Sequence, residues 1–174
     1  MQKIIFLLLT ITLLSCNDNT KKDKENPDKQ STPKADAVTD NKNVNAILDS
    51  MHATLKGGQL KDFPKYLADD GLFLGTDPGE FWTKQGLLDF MKKAFPGDTL
   101  KFVYNIEKRE VLMDDDGRSA LVIEQFYLPT MSRKIMVRAV SRVDRKDDKW
   151  TIDFYSWNMI PRNEDIDKLN KALE

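Results

Sequence analysis

The sequence predicts an α+β domain whose curved antiparallel sheet is wrapped on one face by N-terminal helices, leaving a cone-shaped pocket between the two layers. Three observations carry this expectation. Apolar residues recur at helical spacing through the first half of the folded region. Alternating apolar and polar residues, broken by turn signals, fill most of the second half. The chain has 174 residues, of which 40% are hydrophobic and 32% charged, which suits one core and hardly two.

The chain divides into three parts. Residues 1–16 read as an export signal: Lys3 supplies the positive charge, and Ile4 to Leu14 form an apolar run interrupted by Thr10 and Thr12. Such a run is too short to span roughly 30 Å of hydrocarbon as a helix and suits a signal peptide. It ends Leu13-Leu14-Ser15-Cys16, which resembles the lipobox of bacterial lipoproteins. The resemblance implies that Cys16 becomes the lipidated first residue of the mature protein, anchored to the membrane of the cell envelope. Asn17 in place of Asp favours the outer membrane where a cell has two. Residues 17–42 hold six Lys and six acidic residues around Pro27 and Pro33. They are expected to form a disordered tether, because they have too little apolar surface to offset the entropy of ordering. Residues 43–174 are the folded part.

Within it, Asn43 is placed to cap a first helix with Val44, Ile47, Leu48, Met51 and Leu55 on one face, ended by Gly57-Gly58. A short second helix is expected from Asp62 to Ala68, with Phe63, Tyr66 and Leu67 as its apolar residues. Gly71 to Thr76 reads as a strand and Asp77-Pro78-Gly79 as a turn. Thr83 can cap a third helix whose face holds Leu87, Met91, Ala94 and Phe95, stopped at Pro96-Gly97. Strand alternation follows from Leu100 to Glu107, then a polar turn at Asp114 to Gly117 and a strand from Arg118 to Leu128. Pro129-Thr130 turns the chain into a strand from Ser132 to Asp144, Lys146 to Lys149 forms a hairpin, and Trp150 to Asn158 is the last strand. Asn163 is placed to cap a terminal helix with Ile166, Leu169 and Leu173 on one side.

Charge and motif content exclude several functions. With 27 Lys and Arg against 28 Asp and Glu, the net charge is −1, too even for a nucleic-acid binder that works by neutralising phosphates. One Cys and one His rule out a disulfide framework and a Cys/His zinc site. No EF-hand loop, nucleotide loop, nucleophile elbow or zincin motif occurs, so no metal or other cofactor is expected.

Several stretches resemble a SnoaL-like domain of the nuclear transport factor 2-like superfamily: Gly57-Gly58 to Asp62, then Tyr66-Leu67-Ala68-Asp69-Asp70, and above all Phe73-Leu74-Gly75-Thr76-Asp77-Pro78-Gly79-Glu80-Phe81-Trp82. Gly86-Leu87-Leu88, Val137-Arg138-Ala139 and Trp150-Thr151-Ile152 extend the match over nearly all of residues 43–174. The resemblance implies the cone-shaped α+β fold, often dimeric through the outer face of its sheet. It spans isomerases, dehydratases, cyclases and plain binding modules, so the fold alone does not decide the activity. Related sequences often carry a His where this chain has Ser156, which removes the most obvious acid–base group.

Ligand-pocket candidates are His52, Tyr66, Trp82, Glu124, Arg138, Phe154, Ser156 and Asn158. His52, at the edge of the first helix's apolar face, is either a pocket acid–base group or a boundary residue bonded to a neighbour. Glu80 stands either at the pocket mouth or as a backbone-satisfying group. Arg138, with Arg142 on the same side of its strand, either pairs with an anionic ligand or Glu124, or faces outward. In the last strand, Trp150, Ile152, Phe154, Ser156 and Asn158 share one face and Asp153, Tyr155 and Trp157 the other. The first set is expected to line an apolar pocket with polar groups at one end. The alternative pairs Asp153 with Tyr155 as base and oxyanion donor.

The leading functional expectation is a lipid-anchored module that holds a small, largely apolar molecule or a protein partner in its cone. The alternatives are an isomerase- or dehydratase-like enzyme using a pocket carboxylate, and a structural module that forms a homodimer through its sheet.

Overall fold

The structure, a computed structural model, describes residues 34–97 and 102–174; Cys16, most of the tether and Leu100 lie outside them. Among the described residues, three helices, two 3₁₀ turns and six strands follow in the order α1 (Lys34–Gly57), a 3₁₀ helix (Leu60–Tyr66), β1 (Leu67–Leu74), β2 (Phe81–Thr83), α2 (Lys84–Ala94), β3 (Ile106–Met113), β4 (Ser119–Leu128), β5 (Ser132–Lys146), β6 (Lys149–Ile160), a 3₁₀ turn (Asn163–Asp165) and α3 (Ile166–Ala172). The strands form one curved, unclosed sheet in the order β2-β1-β6-β5-β4-β3. All neighbours are antiparallel except β1 and β6, which run parallel. The fold class is therefore the expected one, with one parallel pair in place of a wholly antiparallel sheet.

Helix α1 buries Val44, Leu48, Met51 and Leu55 against the inner face of the sheet. It begins at Lys34, so Asn43 lies inside the helix instead of capping it. What holds this earlier turn is Asp40, buried and bonded by Arg145 Nη1 at 3.1 Å. Composition could not show that charge meeting a partner from the far end of the chain. At the other end Gly58 takes a φ of 71°, Gly58 N–H donates to Leu55 and Gln59 N–H to Thr54, the bond pair that closes a helix on a left-handed residue.

The expected helix over Asp62–Ala68 is a 3₁₀ turn that ends at Tyr66. Leu67 and Ala68 open β1 instead, because Leu67 pairs with Ile152 of the final strand and both are buried. After β1 a tight loop is closed by its own polar groups. Gly79 N–H donates to the Asp77 carboxylate at 2.8 Å and Asp77 N–H to Glu80 Oε2 at 3.0 Å. A Cβ on Gly75 would sit 1.9 Å from that Glu80 oxygen, so any larger residue there would push the carboxylate off its bond. Thr83 caps α2 as expected, its Oγ1 accepting from Gly86 N–H at 3.2 Å. Ala94 faces solvent, however, and Leu88 joins Leu87 and Met91 against the core.

Alternation from Leu100 to Glu107 predicts a strand there, but ladder pairing starts only at Ile106. Phe102 N–H donates instead to the Leu55 carbonyl at the end of α1, 3.3 Å away. The segment is held by that bond and by its rings, which enter an aromatic cluster. Strands β3 to β6 form the expected meander. Its last hairpin turns through Asp147 and Asp148, both left-handed at φ 50° and 61°, the backbone a two-residue hairpin of this twist requires. Asn163 starts a 3₁₀ turn and does not cap α3, which leaves Ile166 and Leu173 exposed.

One irregularity decides what the sheet presents inward. Arg142 pairs with Phe154, but its neighbour Val143 pairs with Ile152. Asp153 is the extra residue of a β-bulge, and such a residue reverses the facing of everything beyond it.

Candidate functional site

Because of the bulge, Ile152, Tyr155 and Trp157 face inward, beside the buried Val143, Ser141 and Ala139 of β5, and Phe154, Ser156 and Asn158 face outward. The expected lining of the last strand is thus corrected beyond the inserted residue, where the two sets exchange, while Ile152 keeps its expected inward place. Asn158 Nδ2 donates to Ser156 Oγ at 3.1 Å on that outer side. Asp153 is not a base beside Tyr155, since Arg142 grips it in a bidentate pair at 2.7–3.0 Å. Arg138 also lies outside, where the Gln125 amide oxygen, turned to satisfy both groups, accepts from its Nη2 and Nε. It makes no pair with Glu124.

Between α1, α2 and the β1–β6 half of the sheet lies an apolar pocket of about 380 Å³. Its deep wall is Leu55, Phe63, Phe73, Leu128 and Tyr155, all buried; Trp82, Phe90 and Met131 stand nearer the mouth. Trp82 stacks on Phe90 at 4.7 Å. Of His52, Tyr66, Trp82, Glu124, Arg138, Phe154, Ser156 and Asn158, Trp82 alone lines this pocket, together with Glu80 and Tyr155. Among the described residues Glu80 is its only carboxylate, and that group is committed to Asp77 N–H. Tyr66 opens on a different, more polar cleft with Lys65, Arg145, Lys149 and Trp150, and its hydroxyl lies 3.0 Å from Thr54 Oγ1.

His52 and Glu124 meet in the other half of the interior. His52 Nε2 lies 2.9 Å from Glu124 Oε2 and Nδ1 lies 2.6 Å from Tyr104 Oη. Arg109 donates from Nε to Glu124 Oε1 at 2.7 Å and from Nη1 to Asp49 and Asn45 at 2.8 and 3.0 Å. The ionised carboxylate only accepts, so His52 donates to it from Nε2. Burial pushes the Glu124 carboxyl up, but the His52 bond and the charges of His52 and Arg109 outweigh it and hold the group below the usual range. Burial, with the Glu124 charge, pushes the Tyr104 phenol well above its ordinary value. This constellation has the composition of an acid–base site without the access of one. His52 and Glu124 are 4% and 1% exposed, and an aromatic wall separates them from the pocket. Tyr104 stacks on Phe126 at 4.7 Å, and Trp157 meets Phe126 edge-on at 5.5 Å.

Arg109 and Tyr104 escaped notice in the sequence. A signal for the cluster was present: Asn45, Asp49 and His52 recur at helical spacing beside the apolar face of α1. Tyr155 and Trp157 were read on the wrong face, and nothing in a single chain marks the bulge.

The sequence pattern of the SnoaL-like domain matches residues 44–159, and no curated protein matches the chain. Among solved structures, a nuclear transport factor 2-like protein of unknown function from Pseudomonas putida superposes with a TM-score of 0.60 at 12% identity, over 73% of this chain and 91% of its own. A cystatin-like fold protein from Burkholderia xenovorans gives 0.58 at 13% identity, over 74% and 95%. A Xanthomonas campestris protein described as a putative calcium/calmodulin-dependent protein kinase II association domain gives 0.54 at 24% identity, over 69% and 87%. Identities this low speak for the fold alone. With the family pattern matching residues 44–159, the chain belongs to the SnoaL-like domain family, and its fold is that of the nuclear transport factor 2-like structures.

Proposed function

We propose that the domain is a binding module that holds a small, largely apolar molecule in the pocket between α1, α2 and β6. The supporting observation is the pocket's wall: aromatic and aliphatic side chains around about 380 Å³, with its single carboxylate tied into a loop. An enzyme of the isomerase or dehydratase kind needs a carboxylate free to move a proton within reach of the substrate. Glu124 is ion-paired behind the aromatic wall, so this second reading has no group to rest on here.

The test is titration of the full-length protein with the neutral apolar fluorophore N-phenyl-1-naphthylamine. Saturable binding at one site, abolished by Thr130→Trp at the pocket rim with folding unchanged, is the expected result. Unsaturable binding, or binding indifferent to the rim substitution, would overturn it.

The placement of the module is a proposal of the same kind. Lipid attachment at Cys16 would hold it at the cell envelope, at the outer membrane where there are two. Cys16→Ser should then move the protein from the membrane fraction to the soluble one and remove incorporated palmitate. The outer face of the sheet exposes Leu72, Phe81, Leu112 and Leu121, which favours a homodimer through that face. A monomeric mass by light scattering at high protein concentration would deny it.

A further inference from the structure

A helix of fewer than roughly 12–15 residues is marginal in water unless an apolar face of it is packed. Helix α3 has seven, and among the described residues it packs on little beyond the 3₁₀ turn that leads into it. Ile166, Leu169 and Leu173 recur at helical spacing along one side, and none of them joins the core. Ile166 is 39% exposed and Leu173 86%. Such a stripe needs a surface to rest on.

A surface of matching character lies on the helical side of the domain. Between the 3₁₀ helix (Leu60–Tyr66) and the C-terminal half of α2 runs a groove of about 480 Å³, with Leu60, Pro64, Leu88 and Phe95 along it. Lys61 stands on one wall and Lys92 on the other, both exposed. The α3 segment carries the opposite sign: residues 163–174 hold Glu164, Asp165, Asp167 and Glu174 against Lys168 and Lys171. Asp165 and Asp167 flank Ile166 at the start of the stripe. Asp165 accepts from Lys168 Nζ at 2.9 Å on the surface, an exposed pair that can be exchanged at little cost. An apolar stripe between two carboxylates thus matches an apolar groove between two ammonium groups, the way an amphipathic helix is received by a groove.

Within one chain the two do not face each other. Arg162 lies near Tyr127 and Asp165 near Lys134, and Tyr127 points to the outward side of β4, between the buried Phe126 and Leu128. The sheet stands between α3 and the groove of its own chain, whereas a second copy can present its groove directly. We propose that α3 docks in the groove between the 3₁₀ helix and α2 of a second copy of this chain. Ile166, Leu169 and Leu173 lie along its floor, and Asp165 and Asp167 meet Lys61 and Lys92. A twofold axis makes the exchange reciprocal and closes the assembly at two copies. The contact is separate from the outward face of the sheet and does not depend on what the apolar pocket holds.

The test is sedimentation equilibrium on the full-length protein carrying Leu112→Lys and Leu121→Lys, which removes any contact through the sheet face. A reversible dimer is expected, weakened about tenfold or more by Ile166→Asp with Leu173→Asp. Raised salt should weaken it too. Two charge variants decide the partner: Asp165→Lys with Asp167→Lys, and Lys61→Glu with Lys92→Glu. Each alone should lose the dimer, and an equimolar mixture should recover it, since each α3 then finds the opposite charge in the other copy's groove. Every substituted side chain lies at the surface, so circular dichroism should show the fold unchanged. A monomer in the sheet-face background at all concentrations overturns the proposal, as does a dimer indifferent to both charge variants. A monomer whose α3 amides are protected from hydrogen exchange would put the helix on its own chain, and overturns it equally.

Discussion

The two halves of the sheet's inner face bury polar groups in opposite ways. On the β3–β4 side, Glu124 is met by His52 and Arg109, and His52 in turn by Tyr104, so that each buried polar atom there has a partner. On the β1–β6 side, Tyr155 and Trp157 bury polar atoms that have none, against an apolar pocket. A satisfied network in a low-dielectric interior resists rearrangement and offers nothing to an incoming molecule. An unsatisfied wall beside a cavity does the reverse. The residues that look most like catalysis bond one another inside the core, and the polar atoms left without partners belong to residues that look like packing.

Substitutions can break this contrast, and the largest effect is expected in the saturated half. Glu124→Ala leaves a buried histidine and a buried guanidinium without their acceptor and should cost about 3–5 kcal/mol in urea unfolding. A loss below 1 kcal/mol would mean that the cluster contributes no stability. Glu124→Gln keeps the shape and part of the bonding, so it should cost less, with binding of a neutral probe in the pocket unchanged.

Acid should reach the same half first. The Glu124 carboxyl is held below its unfolded value, so the stability it contributes is complete above about pH 4.5 and drains away as pH falls through the folded-state value. The gap in stability between wild type and Glu124→Gln is therefore expected to narrow below about pH 4.5, in unfolding curves taken at successive pH values. A gap independent of pH would show that the charge is not what is buried there.

At the rim of the open half, the expected change is smaller and steric. Gly75→Ala drives a methyl group into the Glu80 carboxylate and breaks its bond to Asp77 N–H, at a cost of about 1 kcal/mol. Adding Glu80→Ala should make the two changes sub-additive in a double-mutant cycle. Smallest of all should be Tyr155→Phe, which removes a hydroxyl that bonds to nothing. Stability within about 0.5 kcal/mol of wild type is expected. A loss above 1.5 kcal/mol would mean that the hydroxyl has a partner, and would dissolve the comparison.

Much of the architecture was legible because local patterns and tertiary needs agree. The apolar stripe of α1, the Thr83 cap and the Asp147-Asp148 hairpin each follow from residues a few positions apart. What was illegible depends on partners far along the chain. Leu67 is a strand residue because Ile152 lies beside it, and Asp40 is ordered because Arg145 reaches it. Phe102 leaves the ladder because the end of α1 has a carbonyl to offer. The candidate site suffered most, since pocket lining depends on which way a strand faces. His52 and Glu124 were visible as titratable residues, but that they seal one another off is a fact of assembly.

The bulge at Asp153 also bears on how such a domain changes over generations. Past that point the strand's outward residues, Phe154, Ser156 and Asn158, and its inward ones, Tyr155 and Trp157, are separated by a single backbone step. Loss of the bulge without loss of a residue, so that Asp153 takes an ordinary place in the ladder and the residues beyond it slip by one, would turn a pocket lined by Tyr155 and Trp157 into one lined by Phe154, Ser156 and Asn158. A lineage could thus exchange one ligand chemistry for another without altering any of those five residues. Two descendants with identical final strands could recognise different molecules.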